Sequence, residues 1–103
     1  MSSGYSIIYT PEAEAQLLAL YHYLSIEASP ATAVRFTDAI VERCEALRDF
    51  PERGAPRFGV RAGLRTLPFR RVTITYAVKV RQVVIVGIFY GGQDYESILG
   101  QDD

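Results

Sequence analysis

The apolar residues of this chain change their spacing once, and that change limits the folds open to it. Up to Leu47 they recur every three or four residues, whereas from Leu64 to Tyr90 they fall into alternations and short runs. Spacings of three and four place side chains on one face of a helix, and a spacing of two places them on one face of a strand. Helices therefore come first and a sheet follows, and the predicted class is α+β.

The helix starts are written in cap residues. Thr10 can accept from the free N–H groups of a first turn, Pro11 suits the first helical position, and Glu12 and Glu14 meet the positive end of the helix dipole. Ala13, Leu17, Leu20, Tyr21 and Leu24 then share a face, and the helix should end near Ala28. Ser29 and Pro30 repeat the arrangement, opening a second helix whose stripe (Ala33, Phe36, Thr37, Ile40, Cys44, Leu47) stops before Pro51. So short a connection makes the pair an antiparallel hairpin. Ahead of it, Tyr5 to Tyr9 is aromatic and β-branched and reads as a short first strand.

Gly54, Pro56, Gly59 and Gly63 mark residues 51–63 as a loop. Leu64 to Leu67, Arg71 to Val80 and Gln82 to Tyr90 read as three strands of an antiparallel meander, with Val72, Ile74, Tyr76 and Val78 alternating against Arg71, Thr73 and Thr75. Val83 to Val86 is apolar on both parities, which predicts a central strand covered by the helices on one face and by a second cover, a partner being one source, on the other. Gly91 and Gly92 break this strand, and Asp94 to Leu99 suits one helical turn before an acidic tail. The expected architecture is thus an N-terminal strand and an antiparallel helix hairpin packed on an antiparallel sheet, with a C-terminal three-strand meander.

At 103 residues, 49% apolar and 12% aromatic, the chain suits one domain over residues 1–103. The single cysteine, Cys44, can close no internal disulfide and has no Cys/His neighbours at metal-ligand spacing, which fits a reducing cytoplasm. The opening Met-Ser-Ser-Gly lacks the pattern of a signal peptide, and no apolar run nears the ~20 residues that span a bilayer, so neither secretion nor membrane insertion is expected. No phosphate-binding loop or cofactor fingerprint occurs, and no cofactor is expected.

The formal net charge of −1 hides a segregation. Residues 1–52 hold eight acids and three bases, residues 53–93 hold eight bases and no acid, and the last ten residues hold four acids. Two readings of the basic block stand side by side: a solvated surface balanced by the acidic helices, or a surface for an acidic partner.

In their order, Tyr9 to Glu14, Ser29 to Ala33, Phe50 to Gly54, Gly63-Leu64-Arg65, Val72 to Tyr76 and Phe89 to Tyr95 resemble the RelE/ParE toxin superfamily of type II toxin-antitoxin systems, more closely its ParE-like branch. The likeness covers nearly the whole chain. It implies a toxin neutralised by a ParD-like antitoxin in a hetero-oligomer, acting on DNA gyrase and so on replication, in the cytoplasm, without sequence-specific nucleic-acid binding of its own. RelE-like members instead cut messenger RNA on the ribosome, and a third possibility is a homologue that has lost toxicity and acts as an antitoxin-binding regulator. Fold alone does not choose between the branches.

A ribonuclease site must neutralise a pentavalent phosphate, with basic groups on the last strands and at the C-terminus. Where RelE-like toxins carry an arginine this chain has Thr73, and where they are basic it reads Gly91-Gly92-Gln93-Asp94. No catalytic residue is therefore assigned. Arg65, Arg70 and Arg71, with Tyr90, Gln93, Asp94 and Tyr95, are the candidate target-binding residues; the alternatives are ion pairs from the arginines to Glu42, Glu45 or Asp49, and a structural strand end in which Asp94 caps the last turn. His22 reads as a helix-surface residue and Cys44 as a buried small hydrophobe.

Overall fold

The computed structural model describes residues 4–100. The predicted acidic tail, from Gln101 on, and Met1 to Ser3 lie outside them. Strand β1 (Ser6–Tyr9) runs directly into helix α1 (Pro11–Glu27), and the Thr10 hydroxyl accepts from the Ala13 amide at 3.1 Å. Ser29 repeats this cap on the Thr32 amide, also at 3.1 Å, and opens α2 (Pro30–Glu45), which ends in a tighter turn at Ala46–Arg48. Both helices begin at the cap and proline that predict them.

The loop carries a two-residue strand, β2 (Ala55–Pro56), too short to read from sequence. Then come β3 (Leu64–Phe69), β4 (Val72–Lys79), β5 (Gln82–Tyr90) and the short helix α3 (Tyr95–Gly100). The strand order is β1-β5-β4-β3-β2. From β2 to β5 neighbours are antiparallel, as expected, but β1 lies parallel to β5, with Ser6 opposite Gln82 and Tyr9 opposite Ile85. The sheet is therefore mixed, not antiparallel. Parallel neighbours need a long crossover, and the helix hairpin with β2 to β4 supplies it; periodicity carries no record of which distant strand β1 joins.

Helices α1 and α2 cover one face of the sheet, where Leu20, Leu24, Ile40, Cys44 and Leu47 meet Leu67, Ile74, Tyr76, Val83, Ile85 and Ile88. The doubly apolar run in β5 has a specific cause. The ladder shifts register between Thr75 and Tyr76, so that Gly87 faces Thr75, Ile85 faces Tyr76, and Val86 has no partner. One extra residue reverses the side-chain alternation. Ile85 and Ile88 thereby both reach the helix face, while Val86 and Phe89 share the opposite one. There Leu64, Phe89 and Leu99 are buried against Val60, Val86 and Tyr95. The second cover is the chain's own α3 and the turn before β3, which corrects the expectation of a partner at this place.

Among the described residues no helix is long and apolar enough to cross a membrane.

Candidate functional site

The tight turn between β3 and β4 consists of two residues, Arg70 and Arg71, because Phe69 pairs directly with Val72. Arg70 takes a left-handed φ of 57°, a conformation that costs a non-glycine residue about 1 kcal/mol. This turn sets both guanidinium groups on aromatic rings. That of Arg70 lies 4.9 Å from the centre of Phe69 and 6.0 Å from Phe36, and that of Arg71 lies 5.9 Å from Tyr90. Arg43 of α2 approaches the Phe69 ring at 5.6 Å, and its buried Nε has no hydrogen-bond partner among the described residues. Tyr90 meets Phe36 edge-on and Tyr23 at a tilt, each with 6.0 Å between centres. Three arginines and four rings thus form one patch at this end of the sheet.

Cation–ring contacts at exposed positions contribute about 0.5 to 1 kcal/mol each and fix the guanidinium planes. Among the described residues they leave the charges without carboxylate partners. The alternative ion pairs from Arg65, Arg70 or Arg71 to Glu42, Glu45 or Asp49 do not form among the described residues; Glu45 pairs with Arg48 at 2.7 Å instead. Glu45 is drawn to the base three positions further along its own chain.

Arg65 belongs elsewhere. It sits opposite Tyr76 near the start of β3, five residues and about 16 Å of strand from Arg70. Its guanidinium donates to the carbonyls of Glu52, at 3.2 Å, and Gly54, at 2.8 Å, and lies 6.0 Å from the Phe58 ring. The Gly54 amide donates to the buried Tyr76 hydroxyl at 2.7 Å, and a Cβ on Gly54 would fall 2.7 Å from both that oxygen and the Thr66 carbonyl. Arg65 and Tyr76 therefore clamp the loop from both sides.

The C-terminal candidates divide between the two faces. Gln93 folds back so that its Oε1 accepts from the Tyr90 amide at 2.9 Å. Asp94 caps α3, accepting from the Ser97 amide at 3.2 Å and the Ser97 hydroxyl at 2.8 Å, and these bonds hold its carboxyl below the ordinary range. Tyr95 is half-buried on the opposite face, 6.2 Å from Phe89. Arg70, Arg71, Tyr90 and Gln93 are thus brought together, while Arg65, Asp94 and Tyr95 have structural partners of their own. Tyr23, Phe36, Arg43 and Phe69 join the patch without having been singled out.

Thr73 is half-buried opposite Phe89, on the face away from the helices. His22 is exposed on α1. Cys44 is 0% exposed, and burial pushes its thiol up to about 12, with the adjacent Tyr9 hydroxyl raised for the same reason. Among the described residues no three His, Cys, Asp or Glu side chains converge as metal ligands would.

A helix hairpin across one face of a mixed five-strand sheet is the architecture of RelE/ParE-class toxins. The toxin-antitoxin complex RelBE2 from Mycobacterium tuberculosis matches this chain with a TM-score of 0.69 over 90% of it and 98% of the other chain, at 22% identity, a likeness of fold. A chain of the chromosomal ParDE toxin-antitoxin system from P. aeruginosa matches with a TM-score of 0.76, 27% identity, 87% of this chain and 99% of the other. Comparison with curated proteins gives no significant sequence match. Residues 7–95 match the family described as the ParE toxin of the type II toxin-antitoxin system parDE, and the chain belongs to that family.

Proposed function

We propose that residues 1–103 act as one cytoplasmic toxin domain that binds and poisons DNA gyrase without cutting nucleic acid, and that a cognate ParD-like antitoxin neutralises it in a hetero-oligomer. The observation that carries this reading is the arginine–aromatic patch. Its cations rest on rings rather than carboxylates, and Arg and aromatic residues of this kind are what protein-binding surfaces concentrate. The antitoxin half is supported by the two similar structures, both of toxin-antitoxin systems.

One observation favours RNA cleavage as a second reading: the Arg71 guanidinium lies beside the Tyr90 ring, a cation next to a phenol. Against it, Arg65 is engaged with the loop, Thr73 carries no charge, and Asp94 would repel a phosphate. The test is a supercoiling assay with purified gyrase beside a cleavage assay on ribosome-bound messenger RNA. Loss of supercoiling with intact RNA is expected; cut RNA with untouched supercoiling would transfer the chain to the second reading.

A further inference from the structure

Strand β5 outlasts its neighbour. β1 pairs with it only as far as Tyr9 opposite Ile85, because the chain then turns at Thr10 into α1. Thr10 closes the ladder, its amide donating to the Ile85 carbonyl at 3.0 Å and its hydroxyl to that of Val86 at 3.4 Å. Beyond this point no strand among the described residues flanks β5 on that side. The outward amides there are those of Ile88 and Tyr90, two residues apart and so about 7 Å from one another, the repeat of a strand ladder.

Each of these amides is met by a glutamine side chain. Oε1 of Gln16 accepts from Ile88 at 2.7 Å and Oε1 of Gln93 from Tyr90 at 2.9 Å. Two side-chain carbonyls thus stand where the backbone carbonyls of a sixth strand would lie. The same glutamines line an open groove of about 330 Å³ with Ala19, Leu20, Tyr23, Ile88 and Tyr90. Among the described residues no carboxylate lines it, and Arg71 sits on the Tyr90 ring at its end.

The geometry points to the free edge of β5 as a strand-accepting site, which an extended segment of a partner protein occupies by displacing the Gln16 and Gln93 amides, with apolar side chains in the groove and a carboxylate on Arg71. A second copy of this chain fits poorly, since a symmetric pairing would bring Arg71 against Arg71. An acidic segment supplies the missing counter-charge. Main-chain bonds give such a site affinity and the groove gives it selectivity. The inference rests on the reading of this end of the sheet as a protein-docking surface.

The test uses the isotope-labelled full chain and three synthetic eight-residue peptides: alternating valine and glutamate, alternating valine and lysine, and the first with alternate backbone nitrogens methylated. The acidic peptide is expected to shift the Ile88 and Tyr90 amide signals and to protect them from exchange. The lysine and methylated peptides should bind at least tenfold more weakly. Gln93→Ala, at an exposed position, should bind the acidic peptide about three- to tenfold tighter, the worth of one competing hydrogen bond; Gln16→Ala should act likewise, and Arg71→Ala should abolish the preference for glutamate. Shifts centred on Ile7 and Tyr9 or on Leu67 and Phe69, equal binding of the lysine peptide, unchanged affinity in Gln93→Ala, or no binding of the acidic peptide would each overturn the site. Peptide binding without gyrase inhibition would sink only the proposed function, and gyrase inhibition without peptide binding only this inference.

Discussion

Cys44 and Tyr9 show what burial does to single residues. A thiol with an ordinary value of 9.0 that is pushed up to about 12 keeps its proton in the folded chain and loses it in the unfolded one across that interval. Its contribution to stability is therefore complete below pH 9.0 and declines as pH rises, by at most about 1.4 kcal/mol per pH unit, with Tyr9 acting in the same direction at higher pH. Urea midpoints should fall between about pH 8 and 10.5 in the native chain and fall less in Cys44→Ala; equal slopes would remove this account. Iodoacetamide should label Cys44 only once the chain unfolds, because the thiolate is the nucleophile. Arg65→Ala frees the Glu52 and Gly54 carbonyls and should cost about 1 to 2 kcal/mol, after discounting for exposure. Chemical denaturation measures that loss, and at temperatures where the variant is folded its gyrase inhibition should match the parent.

At the scale of elements, Leu20 and Ile40 are the hairpin's anchors on the sheet, at 6% and 0% exposure, and replacing either with alanine should cost about 2 to 5 kcal/mol. A measured loss below 1 kcal/mol at both would show that the two stripes do not form the core. Gly87→Ala should also destabilise, by about 1 to 3 kcal/mol, since a Cβ there would lie 2.3 Å from the Phe89 ring. What the sequence made legible was local: caps at Thr10 and Ser29 with their prolines, helical stripes, and alternation in β4. What it hid depends on distant partners. Nothing near Val86 announces a bulge, because the run Val83 to Val86 is apolar in either register, and nothing near β1 names β5 as its neighbour. The site divides in the same way. Arg70, Arg71 and Tyr90 were visible as residue types in a basic stretch, but Tyr23, Phe36 and Arg43 enter from helices at least 27 positions earlier, and only packing brings them in. Arg70 in a left-handed turn was equally hidden, as glycine or asparagine is the usual signal.

Across the whole molecule, charge and topology work together. The eight bases of residues 53–93 are confined to the loop, the sheet and its turns, with Arg70 and Arg71 at one end of β4 and Lys79 and Arg81 at the other. Partner binding should accordingly weaken as salt rises from about 20 to 150 mM, chiefly through slower association; binding indifferent to that change would remove the electrostatic part. The proposed docking mechanism rests on the same topology. Arginines held on rings at the end of a sheet, with Asp94 engaged as a helix cap, suit docking rather than phosphate chemistry. The most direct test compares the parent chain with Arg71→Ala in gyrase supercoiling and in cleavage of ribosome-bound messenger RNA. The parent is expected to block supercoiling and leave RNA intact, and Arg71→Ala to need at least tenfold more protein for the same block. Codon-dependent RNA cleavage by the parent that vanishes in Arg71→Ala, with supercoiling untouched by either, would contradict the account.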